Sequence, residues 1–221
     1  MTQLKSDLKR LPILLVGLIG LSIGIMLTKR AGLGMAPWGV FHQGMSILTG
    51  LKFGFTIQII GIVLLVLSVA LLKSKVGIGT ILNVAIVGII IDLSDQLFSY
   101  VPTTFFSQVI VFLIGIVIMA CGRSFYISAK LGSGPRDGVF VGLSRLTGFQ
   151  VKYVKPAIEA TVLTIGWLLG GVVGYGTVFS VLVSGYLVQG FMTLFKFDPK
   201  TSNQSDIMSY FKKQKSQMES I

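Results

Sequence analysis

Long apolar blocks alternate with short polar punctuation along the chain. Six blocks, 11–28, 55–72, 77–98, 105–122, 156–173 and 177–195, are long enough to cross a bilayer. About 20 residues of helix, rising about 1.5 Å each, cover about 30 Å of hydrocarbon. Two further segments, 38–49 and 136–147, are too short to span. Both still carry an apolar stripe at helical spacing: Val40, Phe41, Met45 and Leu48 in the first, Val139, Phe140, Leu143 and Leu146 in the second. They read either as helices lying at the interface or as half-helices dipping into the membrane. A glycine-rich hinge from Gly170 to Gly176 separates the last two long blocks. The pattern predicts an all-α fold, a polytopic membrane helix bundle of about six transmembrane helices plus two short half-helices.

Composition agrees. Of the 221 residues 52% are hydrophobic and 12% charged, with a mean hydropathy of +0.83. A soluble domain carries about 25% charged residues to keep its skin solvated, so much of this surface faces lipid. The net charge of +11 is scattered between and beyond the apolar blocks and forms no basic stripe with interleaved aromatics, so no nucleic-acid partner is expected. The first block follows Lys5, Lys9 and Arg10 as a signal peptide would. It is long for a signal core and runs into Lys29-Arg30 without a small-x-small cleavage site, so it reads as a retained span. Cys121 reads as a small buried hydrophobe, and one histidine without a cysteine cluster implies no metal and no cofactor. Gly20 and Gly24 suit close helix packing, while Trp38 and Tyr175 fit interfacial anchoring.

Cations set the orientation. With the N-terminus inside, sixteen of the nineteen Lys and Arg fall on cytoplasmic segments, and only Lys29, Arg30 and Lys52 lie outside. Cytoplasmic loops retain positive charge, which favours this assignment over its inverse. Residues 1–10 are then a cytoplasmic N-terminus, 101–106 an extracellular linker, and 198–221 a polar, lysine-rich cytoplasmic tail.

The sequence also matches itself at an offset of 98. Ala31, Leu33, Gly34, Pro37, Gly44, Ser46, Leu48, Thr49 and Gly50 fall on Ala129, Leu131, Gly132, Pro135, Gly142, Ser144, Leu146, Thr147 and Gly148, nine identities in twenty positions. Gly17 and Gly24 fall on Gly115 and Gly122. After a one-residue deletion Gly77-Ile78-Gly79-Thr80 falls on Gly174-Tyr175-Gly176-Thr177. Two repeats result, 11–100 and 107–197. Each holds three spans, an odd number, so the second copy enters the membrane upside down, and the opposite charge bias of equivalent loops agrees. This is the pattern of inverted-topology repeats in many secondary transporters.

Leu33-Gly34-x-x-Pro37-Trp38, His42-Gln43-Gly44 and Thr49-Gly50 resemble the first half of the YczE/YyaS/YitT group of bacterial membrane proteins, particularly its YczE-like branch. Gly132-Ser133-Gly134-Pro135-Arg136-Asp137-Gly138, Glu159, and Gly166-Trp167-Leu168-Leu169-Gly170-Gly171-x-x-Gly174-x-Gly176-Thr177 are similar to its second half. The resemblance covers nearly everything except the C-terminal tail, and it implies a bacterial plasma-membrane protein of undefined activity. Gly39 stands where an acidic residue is expected after Pro-Trp.

Ionisable residues inside a membrane need a partner, water or a function. Glu159, near the cytoplasmic end of the fifth span, suits either a local bond to Lys155 or a proton or cation site, with Arg136 or Arg123 as alternative partners. Asp92 in the third span suits a bond across the bundle or a coupling-ion role, and Asp95 reads as solvated. The glycine turns before Pro37 and Pro135 (Gly34, Gly132 and Gly134) expose backbone amides at helix N-termini, where partial positive charge attracts anions. Arg136 adds a full charge beside Asp137. Two such ends related by a pseudo-two-fold could converge on one anionic group, although the glycines equally suit tight turns alone. His42, on the first short helix, reads as an interfacial polar residue, with a proton site as the alternative.

These features suit a small secondary-transporter-like protein moving a small anionic solute or protons. A non-transporting factor that assembles with another membrane protein is the alternative. A substrate-capture subunit of an energy-coupling-factor transporter fits less well, because of the repeat. No enzyme is expected, since no nucleophile-base pair or phosphate loop occurs in a confirming context.

Overall fold

The computed structural model describes residues 2–72, 76–98, 100–132 and 134–197, with side chains from Asp7 onward. The tail 198–221 and the side chains of Lys5, Lys73 and Lys75, all used for orientation, lie outside the described residues. The described chain is all helical: α1 (Thr2–Arg30), α2 (Pro37–Thr49), α3 (Phe53–Ala70), α4 (Ile78–Leu97), α5 (Phe105–Ser128), α6 (Pro135–Thr147), α7 (Val151–Leu168) and α8 (Tyr175–Leu194).

The two short segments are helices of 13 residues each, opened by Pro37 and Pro135. Both end on a left-handed glycine, Gly50 at φ 70° and Gly148 at φ 75°, a conformation that costs glycine nothing because it has no Cβ. Their amides donate to the carbonyls of Ser46 and Ser144 at 2.9 and 3.0 Å. Two extended residues later α3 and α7 start, so each half contains a short helix folded back on a longer one.

Among the described residues, five helices are long and apolar enough to cross a membrane: α1 from Asp7, α3, α4, α5 and α8. The block expected to be the fifth span does not qualify as it stands. It was expected over 156–173 but forms a helix over 151–168, whose 18 residues include Lys152, Lys155 and Glu159. The physical reason lies at its start. Gln150 is the extended N-cap, and its carbonyl accepts from the Tyr153 and Val154 amides at 2.9 and 3.2 Å, which draws the charged turn before Pro156 into the helix. Elsewhere, large side chains such as Phe106, Leu182 and Tyr186 are 76, 64 and 78% exposed, a surface suited to lipid rather than water.

The core is the crossing of α1 with α5, which run antiparallel: Gly17 packs on Tyr126, Gly24 on Met119 and Gly115 on Thr28. A Cβ placed on Gly17 would sit 2.4 Å from the Tyr126 amide nitrogen, and one on Gly122 would sit 2.3 Å from that of Leu21. Backbone therefore lies against backbone. Between apolar helices in lipid the attraction comes from such close packing, because lipid tails already solvate the side chains.

Contacts between the halves are reciprocal. Gly24 meets Met119 while Gly122 meets Leu21, and Gly34 meets Thr177 while Gly132 meets Thr80. The Gly79 amide donates to the Leu131 carbonyl at 2.7 Å, and that of Gly176 to the Leu33 carbonyl at 2.8 Å. In each case the second contact joins the residues equivalent to the first, with the halves exchanged, as at a two-fold interface.

One relation is not reciprocal. α3 packs along α4, with a Cβ on Gly88 falling 2.2 Å from the Gly54 carbonyl oxygen. Their counterparts α7 and α8 have no comparable contact, and Gly185, equivalent to Gly88, has nothing within 4 Å.

Replacing Gly122 by Ala drives a methyl group into the Leu21 backbone and should cost about 1–3 kcal/mol, as overpacking does. Gly190→Ala, whose Cβ meets open space, should be neutral or slightly stabilising, because alanine is the better helix former. Thermal unfolding in detergent distinguishes them. Equal midpoints would refute the backbone crossing.

Candidate functional site

A cavity of about 950 Å³ opens where α7 and α8 stand apart, and the first turns of α2 and α6 both reach it. The proline that starts each of these helices lacks an N–H, and neither helix has a side-chain N-cap. On α2, Trp38 and His42 are four residues apart and share one face. α6 presents Arg136. Its guanidinium lies over the Trp38 ring, 4.8 Å from the centroid, and one of its nitrogens is 2.7 Å from His42 Nε2.

That geometry assigns the histidine tautomer. Arginine can only donate, so Nε2 must accept and the proton resides on Nδ1. Burial first, and the Arg136 charge second, hold His42 well below its usual pKa, so the ring is neutral at physiological pH. Burial first and the charge of Arg123 second bring Arg136 down to about 10. His42 Nδ1 and Trp38 Nε1 are both buried without a hydrogen-bond partner, on rings only 2% and 6% exposed. Leaving such a donor unpaired costs about 1–3 kcal/mol, so each needs an explanation.

Other elements complete the wall. α5 brings Arg123, 3.6 Å from an Asp137 carboxylate oxygen, and α7 brings the pair Lys155–Glu159 at 3.9 Å. Lys196 lies just beyond α8. The lining thus holds four cations, Arg123, Arg136, Lys155 and Lys196, against two carboxylates, Asp137 and Glu159. Much of the remainder is apolar, including Ile25, Ile57, Met119, Val188 and Met192. A second cavity, of about 70 Å³, lies on the α3–α4 side and shares His42, Arg123, Arg136 and Asp137 with the first.

The residues singled out from sequence therefore separate into three groups. Pro37, His42, Arg136, Asp137 and Glu159 line the large cavity, while Gly134 and Pro135 line the small one. Gly34 and Gly132, at φ 91° and 127°, instead form the reciprocal contacts with the starts of α8 and α4. Asp92 lines neither cavity. Its carboxylate accepts from the Gly54 and Phe55 amides at 2.7 and 3.1 Å, capping the start of α3. Glu159 faces Lys155, and Arg123 is taken by Asp137 instead.

Two expectations need correction. Asp95 is not merely solvated: it accepts from Lys29 Nζ at 2.8 Å and Arg30 Nε at 2.7 Å, tying the ends of α1 and α4 together. Trp38 is not an interfacial anchor but part of the cavity wall. The repeat contains the signal that finds it, because Trp38 is the position equivalent to Arg136. Equivalent residues can meet only near a two-fold axis, so their contact marks where that axis runs.

The chain is 36% identical to an uncharacterised protein of Haemophilus influenzae over 186 residues, 84% of each chain. It is 32% identical to the uncharacterised membrane protein YczE of Bacillus subtilis, covering 78% of this chain and 80% of that one. With the uncharacterised protein YyaS of the same organism the identity is 30%, over 81% and 90% of the two chains. No solved structure matches it. With five helices long and apolar enough to span, and a relative described as a membrane protein, it is an integral membrane protein. The match over residues 8–193 to the family of unknown function DUF6198 places the chain in that family.

Proposed function

We propose that this protein is a small secondary-transporter-like protein that moves a solute by alternating access to the cavity between α2 and α6. The observation that carries this reading is the unequal packing of equivalent helices: α3 lies closed on α4, while α7 and α8 are parted around a cavity. A fold made of two head-to-tail copies has two such gates, one per side. Exchanging which copy is closed moves the opening across the membrane without moving the site.

In this reading the reciprocal contacts are those of inverted-topology repeats, and α7 is the sixth span. Its equivalent α3 already qualifies as one, and the charges of α7 collect toward its first turns, where Lys152 and Lys155 reach a water interface. The N-terminus and the C-terminal tail lie in the cytoplasm. Lys155 and Lys196 then mark the mouth of the large cavity as cytoplasmic, and the structure represents an inward-open state. The outer gate is the α3–α4 contact, held by the Asp92 cap, the bond from Gln58 Nε2 to the Ala85 carbonyl at 2.6 Å, and the ion pairs of Asp95.

Sidedness is tested with cysteines in a Cys121→Ser background and an impermeant maleimide. Lys52→Cys should label from outside and Lys152→Cys from the cytoplasm. Labelling of both from one side would end the inverted reading.

Alternation is tested at another equivalent pair, Val87 on α4 and Ser184 on α8. Val87 is buried, whereas Ser184 lines the cavity. Ser184→Cys should label rapidly from the cytoplasm and Val87→Cys slowly from outside. Removing the cap with Asp92→Ala, at about 1 kcal/mol, should raise the outside rate at Val87→Cys roughly fivefold. A Val87→Cys that stays unlabelled from both sides, with or without the cap, would rule out a second gate.

A further inference from the structure

We propose that the cavity binds a small organic monocarboxylate with an apolar body, its carboxylate held by Trp38 Nε1–H, His42 Nδ1–H and the Arg136 guanidinium. The site rests on the transporter reading only for its location between the repeats; the recognition chemistry stands on its own residues.

Three independent observations converge on it. The first is the pair of orphaned donors. Trp38 Nε1 and His42 Nδ1 are buried, belong to residues that line the cavity, and have no acceptor among the described residues. Because His42 Nε2 is committed to accepting from Arg136, its other nitrogen can only donate. Two unsatisfied donors around one cavity call for a ligand that brings acceptor oxygens.

The second is the charge. Arg123 has Asp137 within 3.6 Å and Lys155 has Glu159 within 3.9 Å. Arg136 has no carboxylate within salt-bridge distance among the described residues; its contacts are a neutral imidazole and the face of an indole. Lys196, the other lining cation outside these two pairs, lies beyond α8, whereas Arg136 lies beside both donors, so one negative charge is matched where they are. A dianion such as phosphate would find a single cation there and face Asp137 and Glu159 with its second charge. The uncapped first turn of α2, from Pro37 to Gly39, adds partial positive charge on the same wall.

The third is the apolar share of the lining, which stands beside the polar Thr28, Ser184, Gln189 and Thr193. Ile25, Ile57, Met119, Val188 and Met192 offer no polar group to a hydrated ion. They suit a hydrocarbon or aromatic body attached to the carboxylate. Their removal from water with the ligand would add to affinity roughly in proportion to the area covered.

The test uses full-length protein in phosphatidylcholine nanodiscs, with phenylacetate as probe, phenethylamine as its cationic counterpart, and inorganic phosphate. Binding is read by calorimetry. Phenylacetate should bind, and phenethylamine and phosphate should bind at least tenfold more weakly. Trp38→Phe keeps a ring over the guanidinium but removes the N–H, and should weaken phenylacetate roughly tenfold without changing the thermal midpoint in the absence of ligand. Comparable binding of phenethylamine, or no binding of phenylacetate to the unaltered protein, would overturn the proposal whatever the variant does. So would phosphatidylglycerol that co-purifies in the cavity and leaves phenylacetate unbound. Binding without flux into reconstituted vesicles would refute transport but leave this site standing, whereas labelling that alternates at Val87 and Ser184 without carboxylate binding would do the reverse.

Discussion

Where α1 crosses α5, two backbones touch, and the positions of the other helices follow from that contact. Gly17, Gly20 and Gly24 on one helix face Gly115 and Gly122 on the other, and a single added methyl at the closest points would fall well inside van der Waals contact distance of a backbone nitrogen. Lipid supplies no hydrophobic drive between such helices, so complementary shape must hold them. The antiparallel crossing then leaves little freedom. The chain leaving α1 meets the start of α8 just as the chain leaving α5 meets the start of α4.

A two-fold relation brings equivalent positions together only near its axis. Here those positions are Trp38 and Arg136, an indole and a guanidinium. The repeats have diverged where a symmetric pair would be unfavourable. Two arginines would repel across the axis, and two indoles would leave no charge. Their combination stacks, and the histidine one turn on from Trp38 is neutral enough to accept from Arg136. The outcome is a polar centre with donors still to spare, on the wall of a cavity that is apolar in part.

Divergence also explains why the two equivalent helix pairs pack differently. On α4, Asp92 caps α3, and Gly88 lets the helices touch. On α8 the equivalent of Asp92 is Gln189, which lines the cavity, and Gly185 touches nothing. A carboxylate accepting two amide bonds is stronger than a carboxamide in that role. The closely packed pair is thus the one with the carboxylate cap, a difference of a few bonds rather than of fold.

Much of this architecture was legible before any coordinates. Apolar block length announced the spans, because a bilayer has fixed thickness, and proline followed at thirteen residues by glycine marked both short helices, because each residue suits one particular helix end. The offset of 98 singled out Pro37 and Pro135 with the glycines before them. Sequence could not decide which polar groups meet. Asp92 and Glu159 looked alike as carboxylates in apolar helices, yet one caps α3 and the other lines a cavity, since a side chain's partner depends on the crossing of helices far apart in the chain. Trp38 looked like an anchor because an indole's preference for interfaces is local, whereas its burial under Arg136 comes from folding one repeat onto the other. The close packing of α3 on α4 and the parting of α7 from α8 were equally invisible, being two packings of nearly the same pattern. Periodicity and length govern what each segment becomes, and only the tertiary contacts choose what it faces.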